Sequence, residues 1–415
     1  MTATKLPASP AAGTAAFGFR TPRNIERMLD EEAGISAIYE AVLAQDINGD
    51  GRQDLVALTN ESVLDVYLQS KDGAMPAPAT YSYGTFTYSS DMYITPGDFN
   101  GDDLLDVAFS SVDDYGRHGI DLLLSRRGML PTQRHAYWEY PASGYGIVDM
   151  VSMDADGDGN IDLVLARNNV TQPSFQVLSG NGQGQFTVKQ QVALDLPDSR
   201  DFIRELATHD IDGDGLADLE FSIDRSPTYE DPEPRGRVLV AYRTADGLAP
   251  AVEIHDAPKG THHLFYADVN GDARDDAVIG YEIHLRNQDG SFGSAQVLQS
   301  YYIMPSTPAL ADFDGDGLVD LVNRQFADFF TIPFTAVYLQ RNGTLVGTLQ
   351  ITDPPFRNGF NVGYHRHAYA TADVNSDGCR DFVAAASYDG IVIMEGENCI
   401  QKHPRLSRPL PPLRL

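Results

Sequence analysis

The stretch Asp154-Ala-Asp-Gly-Asp-Gly-Asn-Ile-Asp162-Leu-Val-Leu-Ala166 decides the fold. Its first nine residues place oxygen-bearing side chains at positions 1, 3, 5 and 9, and an apolar strand follows at once. Six more segments repeat the plan as D-x-[DN]-G-D-G-x-x-D with minor departures, and their first Asp falls at 46, 98, 210, 268, 312 and 373. The six intervals span 327 residues, a mean period of 54.5. A fixed period of this size marks a propeller or a solenoid.

Each repeat reads the same way around its loop. An apolar stretch leads in, and a strand such as Asp54-Leu-Val-Ala-Leu58 leads out. A third strand ends in text such as Val66-Tyr-Leu-Gln69 or Ala336-Val-Tyr-Leu339, and Gly-x-apolar, as in Gly184-Gln-Phe186 or Gly343-Thr-Leu345, opens a fourth. Four short strands per unit make a propeller blade. The expectation is an all-β, seven-bladed β-propeller of four-stranded antiparallel blades. The seventh repeat has no fourth strand after Cys399, but Phe17-Gly18-Phe19 precedes Asp46 with the spacing a fourth strand shows before the next loop. The N-terminal segment is therefore expected to complete the last blade and remove the free sheet edges. The ring is expected over 14–401, with tails at 1–13 and 402–415, the latter Pro-rich.

The loops demand a cation. Crowded carboxylates repel one another, and a hard ion such as Ca²⁺ takes six to eight oxygens, with a backbone carbonyl and water completing the shell. The expected ligands are Asp46, Asn48, Asp50 and Asp54; Asp98, Asn100, Asp102 and Asp106; Asp154, Asp156, Asp158 and Asp162; Asp210, Asp212, Asp214 and Asp218. They continue with Asp268, Asn270, Asp272 and Asp276; Asp312, Asp314, Asp316 and Asp320; and Asp373, Asn375, Asp377 and Asp381. Up to seven structural Ca²⁺ are implied. An EF-hand is excluded, because the closing acid stands at position 9 rather than 12 and a strand, not a helix, follows. Position 6 requires a left-handed backbone, so Ala273 makes the fifth loop the weakest, with Asp103 a milder departure and Ser376 replacing Gly at position 4 of the seventh. These loops explain much of the charge, 30 Lys and Arg against 59 Asp and Glu, or −29. So acidic a chain disfavours nucleic-acid binding, and no apolar run approaches a membrane span.

The motifs resemble FG-GAP/VCBS repeats, the repeats of integrin α-subunit propellers and of many secreted proteins, over about residues 14–400. The resemblance implies the propeller and its calcium loops; functions within that family vary widely.

Two cysteines are present. If the last hairpin turns at Asp389-Gly390, positions whose numbers sum to about 778–780 face each other, which puts Cys379 and Cys399 within disulfide reach. A disulfide and calcium loops both suit a secreted, periplasmic or cell-surface protein. No signal peptide is visible in the first residues.

The face opposite the loops carries the candidate ligand site. Six residues before each loop stand Glu40, Met92, Val148, Arg204, His262, Ser306 and His367, on strands expected to line the central channel. His263, Tyr364, His365, Arg366 and Tyr369 adjoin them, and the long connections 111–118, 224–237 and 324–335 open on the same side. Aromatic faces stack on sugar rings while Arg, His and carboxylates bond hydroxyls, so a lectin-like or adhesion module is expected, with Glu40, Arg204, His262, His263, Tyr364, His365, Arg366 and His367 as ligand contacts. A polysaccharide lyase uses the same residue types: Arg204 would neutralise a uronate while His262, His365, His367 or Tyr364 moved protons. A protein-binding scaffold is the third reading. His365 and His367 share one strand face and admit a metal; no elbow motif supports a Ser-His-Asp triad.

Overall fold

The computed structural model describes residues 17–25, 28–30, 35–59, 63–82, 93–112, 118–138, 147–168, 172–232, 234–257, 264–280, 282–297, 308–326, 333–352, 368–386 and 390–400. No helix of the described chain is long and apolar enough to cross a membrane.

Seven antiparallel sheets of four strands form a seven-bladed β-propeller. The first blade is Tyr39–Gln45, Asp54–Thr59, Val63–Tyr67 and Ala79–Ser82, in that order across the sheet. Each carboxylate loop joins strands one and two. Second strands such as Asp54–Thr59 are buried along their whole length, because a middle strand is covered on both faces by neighbouring blades; hence their unbroken Leu, Val and Ala. Fourth strands form the outer wall, and Phe186–Ala193 in the third blade buries little beyond its first residue.

The hydrophobic core is divided among the junctions between blades. Tyr39, Leu55 and Tyr67 of the first blade pack with Val374, Val383 and Ile391 of the seventh. Val151, Phe175 and Val177 of the third pack with Ile203, Phe221 and Ile223 of the fourth. Seven such clusters fill the seven junctions. That count fits a closed ring, since an open stack of seven would have six.

Closure follows the expected handover. Arg23–Ile25 pairs with Gly390–Met394 as the fourth strand of the last blade, in the register Arg23↔Ile393 to Ile25↔Ile391. Gly18–Phe19 pairs with Gly396–Glu397. Phe17 and Phe19 pack on the junction of blades six and seven, and the Arg23 Nε donates to Glu395 Oε1 at 2.6 Å.

Cys379 and Cys399 form a disulfide, their Cα atoms 5.7 Å apart. The hairpin beside it corrects one detail. Ala386 faces Gly390, so Gly390 belongs to the paired ladder rather than to the tip of the hairpin, and facing positions sum to 776. The cysteines lie beyond the paired ladder, where the strands have left that register.

Candidate functional site: the carboxylate loops and the bulged inner strands

The third loop shows how the nine residues fold. Asp154 accepts the amides of Gly157 at 2.7 Å and Gly159 at 3.2 Å. Asp156 accepts the Asp158 amide at 3.2 Å, and Asp158 accepts the Asn160 amide at 2.8 Å. Each carboxylate thus turns the backbone back towards itself, as short acidic side chains do. The turn needs positive φ at positions 4 and 6. All fourteen such positions have it, with Ala273 at 66°, Asp103 at 63° and Ser376 at 59° among eleven glycines. The left-handed backbone expected at Ala273 is present.

The closing Asp does more than its position announced. One oxygen of Asp162 accepts the Ala155 amide at 2.9 Å, and the other accepts the Gly180 amide at 2.8 Å at the end of strand three. The same double bond recurs at Asp54 (Ile47, 3.2 Å; Gln69, 2.8 Å) and at Asp381 (Val374, 2.8 Å; Gly396, 2.9 Å). Asp106, Asp218, Asp276 and Asp320 repeat it. The residue is fully buried in every blade. It staples the loop to the third strand.

Burial is also the main reason its carboxyl rises. Asp106 and Asp381 are pushed up to about 7, and Asp54, Asp162, Asp276 and Asp320 to about 6. Asp218 moves the same way. The backbone amides oppose the shift, while charges of the other loop carboxylates add to it. Such a group is costly to ionise beside its neighbours unless a cation joins them. Oxygens of Asp154, Asp156 and Asp162 lie within 4.8 Å of one another, as do those of Asp210, Asp212 and Asp218, and of Asp312, Asp314 and Asp316. An all-oxygen, anionic set of this kind fits a hard divalent ion.

Basic side chains, which sequence reading missed, take up part of the charge. Arg52 pairs with Asp50, Arg274 with Asp272, and Arg341 with Asp314 and Asp316. Arg20 reaches Asp377 at 3.2 Å, Lys189 reaches Asp156 at 3.5 Å, and Arg243 reaches Asp154 at 3.6 Å.

Each loop is also tied to the following blade. The Gly128 amide donates to the Asn48 carbonyl at 2.6 Å, Gly184 to Phe99 at 2.8 Å, and the Arg243 Nε to Asp154 at 3.0 Å. Arg286 donates to the Ile211 carbonyl, Gln340 to Asp268 at 3.4 Å, and Ile400 to Asp314 at 2.6 Å. Gln69 of the first blade completes the circle on Asp373 at 3.2 Å, and the Ser376 hydroxyl donates to the same Gln69 at 2.7 Å. A Cβ on Gly73 would stand 2.0 Å from the Asn375 carbonyl oxygen, so only glycine permits this approach.

On the inner strands, the pairing register slips once in each of three blades. The extra residues are Glu40, Val148 and Arg204. These are the positions six residues before the loops of blades one, three and four. A bulge re-aims its side chain and recurs beside binding sites. Arg204 lies over the Phe202 ring, 5.0 Å from its centroid, and bonds Asp224 at 3.1 Å. Its side chain is 35% exposed, which leaves it open to a ligand. Beside it Asp201 is buried and accepts Arg225 at 2.6 Å and also Arg237. Tyr369 stacks on Phe382 with centroids 5.3 Å apart. His262, His263, Tyr364, His365, Arg366 and His367 lie outside the described residues, as do Met92 and Ser306.

Seven blades on one carboxylate-loop plan define a loop-stapled β-propeller. Residues 46–109 and 154–219 match the FG-GAP-like repeat model, and these repeats together with the seven-bladed ring support the FG-GAP β-propeller family. No curated protein matches it significantly. Among solved structures it resembles BBS1N in complex with ARL6DN (TM-score 0.49, 11% identity, covering 90% of this chain and 96% of that one). It also resembles the Dos1 propeller (0.48, 10%, 88% and 81%) and the BP39L lectin from Burkholderia pseudomallei (0.47, 15%, 76% and 86%).

Proposed function

We propose that the protein is a calcium-stabilised recognition module acting outside the cytoplasm, and that it binds carbohydrate at the funnel face, opposite the carboxylate loops. The single ring of residues 14–401 is the binding unit. The observation that carries the reading is the bulge at one rung of the inner strands, which singles out Glu40 and Arg204 among the polar residues of that rung. At Arg204 a guanidinium, the Phe202 ring and the Asp224 carboxylate meet. Those three groups are what a sugar requires: an apolar face for the ring, and charged donors and acceptors for its hydroxyls. His262, His263, Tyr364, His365, Arg366 and His367 would extend the same surface around the mouth. Calcium belongs to the opposite face, where it would cancel carboxylate repulsion and hold the loops, and its role there is structural.

A glycan and polysaccharide array probed in calcium tests this. Binding should appear, and Arg204→Ala should weaken it at least tenfold while the melting temperature stays within a degree or two. A blank array from folded protein, or binding unmoved by Arg204→Ala and by His262→Ala with His367→Ala, refutes the reading and favours a protein partner. Appearance of an unsaturated uronate product would replace a lectin with a lyase.

A further inference from the structure

The tie from blade seven to the sixth carboxylate loop is held differently from those at the first two loops. There the donors are the amides of Gly128 and Gly184. Each stands in the turn that leads from strand three to the fourth strand of its own blade, Thr132–Trp138 or Phe186–Ala193. A continuous, paired hairpin therefore fixes the donor. Blade seven lacks that hairpin, because its fourth strand, Arg23–Ile25, comes from the other end of the chain. Its donor is Ile400, whose amide bonds the Asp314 carbonyl of the sixth loop at 2.6 Å. Among the described residues the last strand before Ile400 is Gly396–Glu397. Ile400 is 59% exposed, so burial does little to hold it. The covalent link that reaches it is the bond from its neighbour Cys399 to Cys379. Cys379 is a firm anchor: it is buried, and its amide bonds Asp377 at 3.0 Å.

The strap lies directly on the loop backbone. A Cβ on Gly315 would stand 2.3 Å from the Ile400 carbonyl oxygen. Asp314 and Gly315 are positions 3 and 4 of the loop, and oxygens of Asp312, Asp314 and Asp316 lie within 4.8 Å of one another. Arg341 bonds Asp314 and Asp316 from strand three. The carboxylates are thus steered from blade six and the backbone from blade seven. Convergent oxygens hold a hard cation more tightly when the backbone that carries them is fixed beforehand, since less order has to be imposed on binding.

We infer that the Cys379–Cys399 disulfide is a redox control on calcium binding at the sixth loop. Oxidised, it keeps Ile400 on Asp314 and holds the loop ready for the ion. Reduced, it frees the strap and the affinity falls. The inference rests on the structural calcium role proposed above. Cys399 is partly exposed, open to a dithiol such as dithiothreitol. That reductant supplies two electrons and two protons; the S–S bond breaks, both cysteines become thiols, and the dithiol leaves as a cyclic disulfide. The third and fourth loops, whose carboxylates also converge, carry no cysteine and serve as controls. Linkage makes the effect reciprocal, so bound calcium protects the disulfide from reduction.

Calcium titration of the full chain against a chromophoric chelator, before and after dithiothreitol, tests this. Reduction should weaken one equivalent by about fivefold or more and leave the remaining sites unmoved. Cys379→Ser with Cys399→Ser should bind as the reduced parent does and ignore the reductant. Asp316→Asn, which removes a ligand of the sixth loop, should abolish the reductant-sensitive equivalent alone. In a glutathione buffer, calcium should shift the parent towards the disulfide by the same factor, a readout that needs no variant to fold. Calcium binding indifferent to reductant, or a redox effect that survives in Asp316→Asn, would overturn this inference and leave the calcium loops standing. No calcium uptake in either redox state would overturn the calcium role itself and this inference with it.

Discussion

Ala273→Gly should make this protein more stable, although it removes a methyl group from a loop. Ala273 is held at φ 66°, where an L-residue meets its own carbonyl oxygen at a cost of roughly 1–2 kcal/mol. Glycine escapes that cost but gives the unfolded chain more freedom, which returns about 0.4–1 kcal/mol. The net gain is about 0.5–1 kcal/mol. The reciprocal change is Gly215→Ala, at the same position of the fourth loop. Its φ is 90°, and a Cβ there would meet nothing within 4 Å, so any loss is conformational rather than steric. Because 90° lies further from the left-handed minimum than 66°, the loss should exceed the gain at 273 and reach about 1–2 kcal/mol. With an unfolding entropy of about 2.1 cal/mol/K per residue, 1 kcal/mol moves the melting point of a chain this long by only about 1 °C. Equilibrium denaturant titration, with calcium and with chelator, is therefore the assay. A fifth loop that gains nothing from glycine while the fourth suffers from alanine would show that the left-handed cost is relieved at 273 by something other than φ, and the reasoning would fail.

Other outcomes follow from the same loops and their surroundings. Removing calcium with a chelator should lower the melting temperature by several degrees at pH 7.5, and an unchanged melt would sink a structural role for the ion. In the metal-free protein the closing aspartates have folded-state pKa values raised above the unfolded value of 3.8; the folded form binds more protons, so stability is lost as pH rises towards and through 6–7. Chelated protein should melt higher at pH 5 than at pH 7.5, and calcium should flatten or reverse that slope. Glu220 is fully buried, accepts the Tyr266 hydroxyl and is pushed from 4.5 up to about 8 by burial, so its carboxyl costs stability progressively as pH rises from 4.5 through 8; Glu220→Gln should be near neutral at about pH 4, stabilising at pH 6 and more so at pH 9, read from melts across that range. Replacing Cys379 and Cys399 together by serine opens a bridge spanning 20 residues and should cost about 3 kcal/mol, matched by adding reductant to the parent protein.

The ring could be read from the sequence because its determinants are local. Nine residues specify each loop, the strand after each loop is an unbroken apolar run, and the spacing from Gly18 to Asp46 exposes the missing outer strand. What stayed hidden depends on contacts between distant residues. Asp162 looks like one more ligand until Gly180 is seen donating to it across the blade. Arg52 and Arg341 look like surface charges until they are found on loop carboxylates. The bulge at Arg204 is a matter of pairing register, which becomes visible only with its partner strand. Counting six residues back from each loop nevertheless found the three bulged positions, since the loop fixes where the inner strand ends.

The handover strand sets a timetable for the ring's birth. Arg23 meets Ile393 across the last hairpin, and its guanidinium bonds Glu395, 372 residues further along the chain. At a synthesis rate of about 5–20 residues per second, that strand waits on the order of 20–75 s for the hairpin it completes. During the wait, the first blade also lacks the seventh-blade residues that cover Tyr39, Leu55 and Tyr67. Blades two to six can assemble against one another as they emerge. The first blade stays half-covered until the last one arrives, so the seam between chain start and chain end is where a nascent ring is most open to mispairing with a second copy.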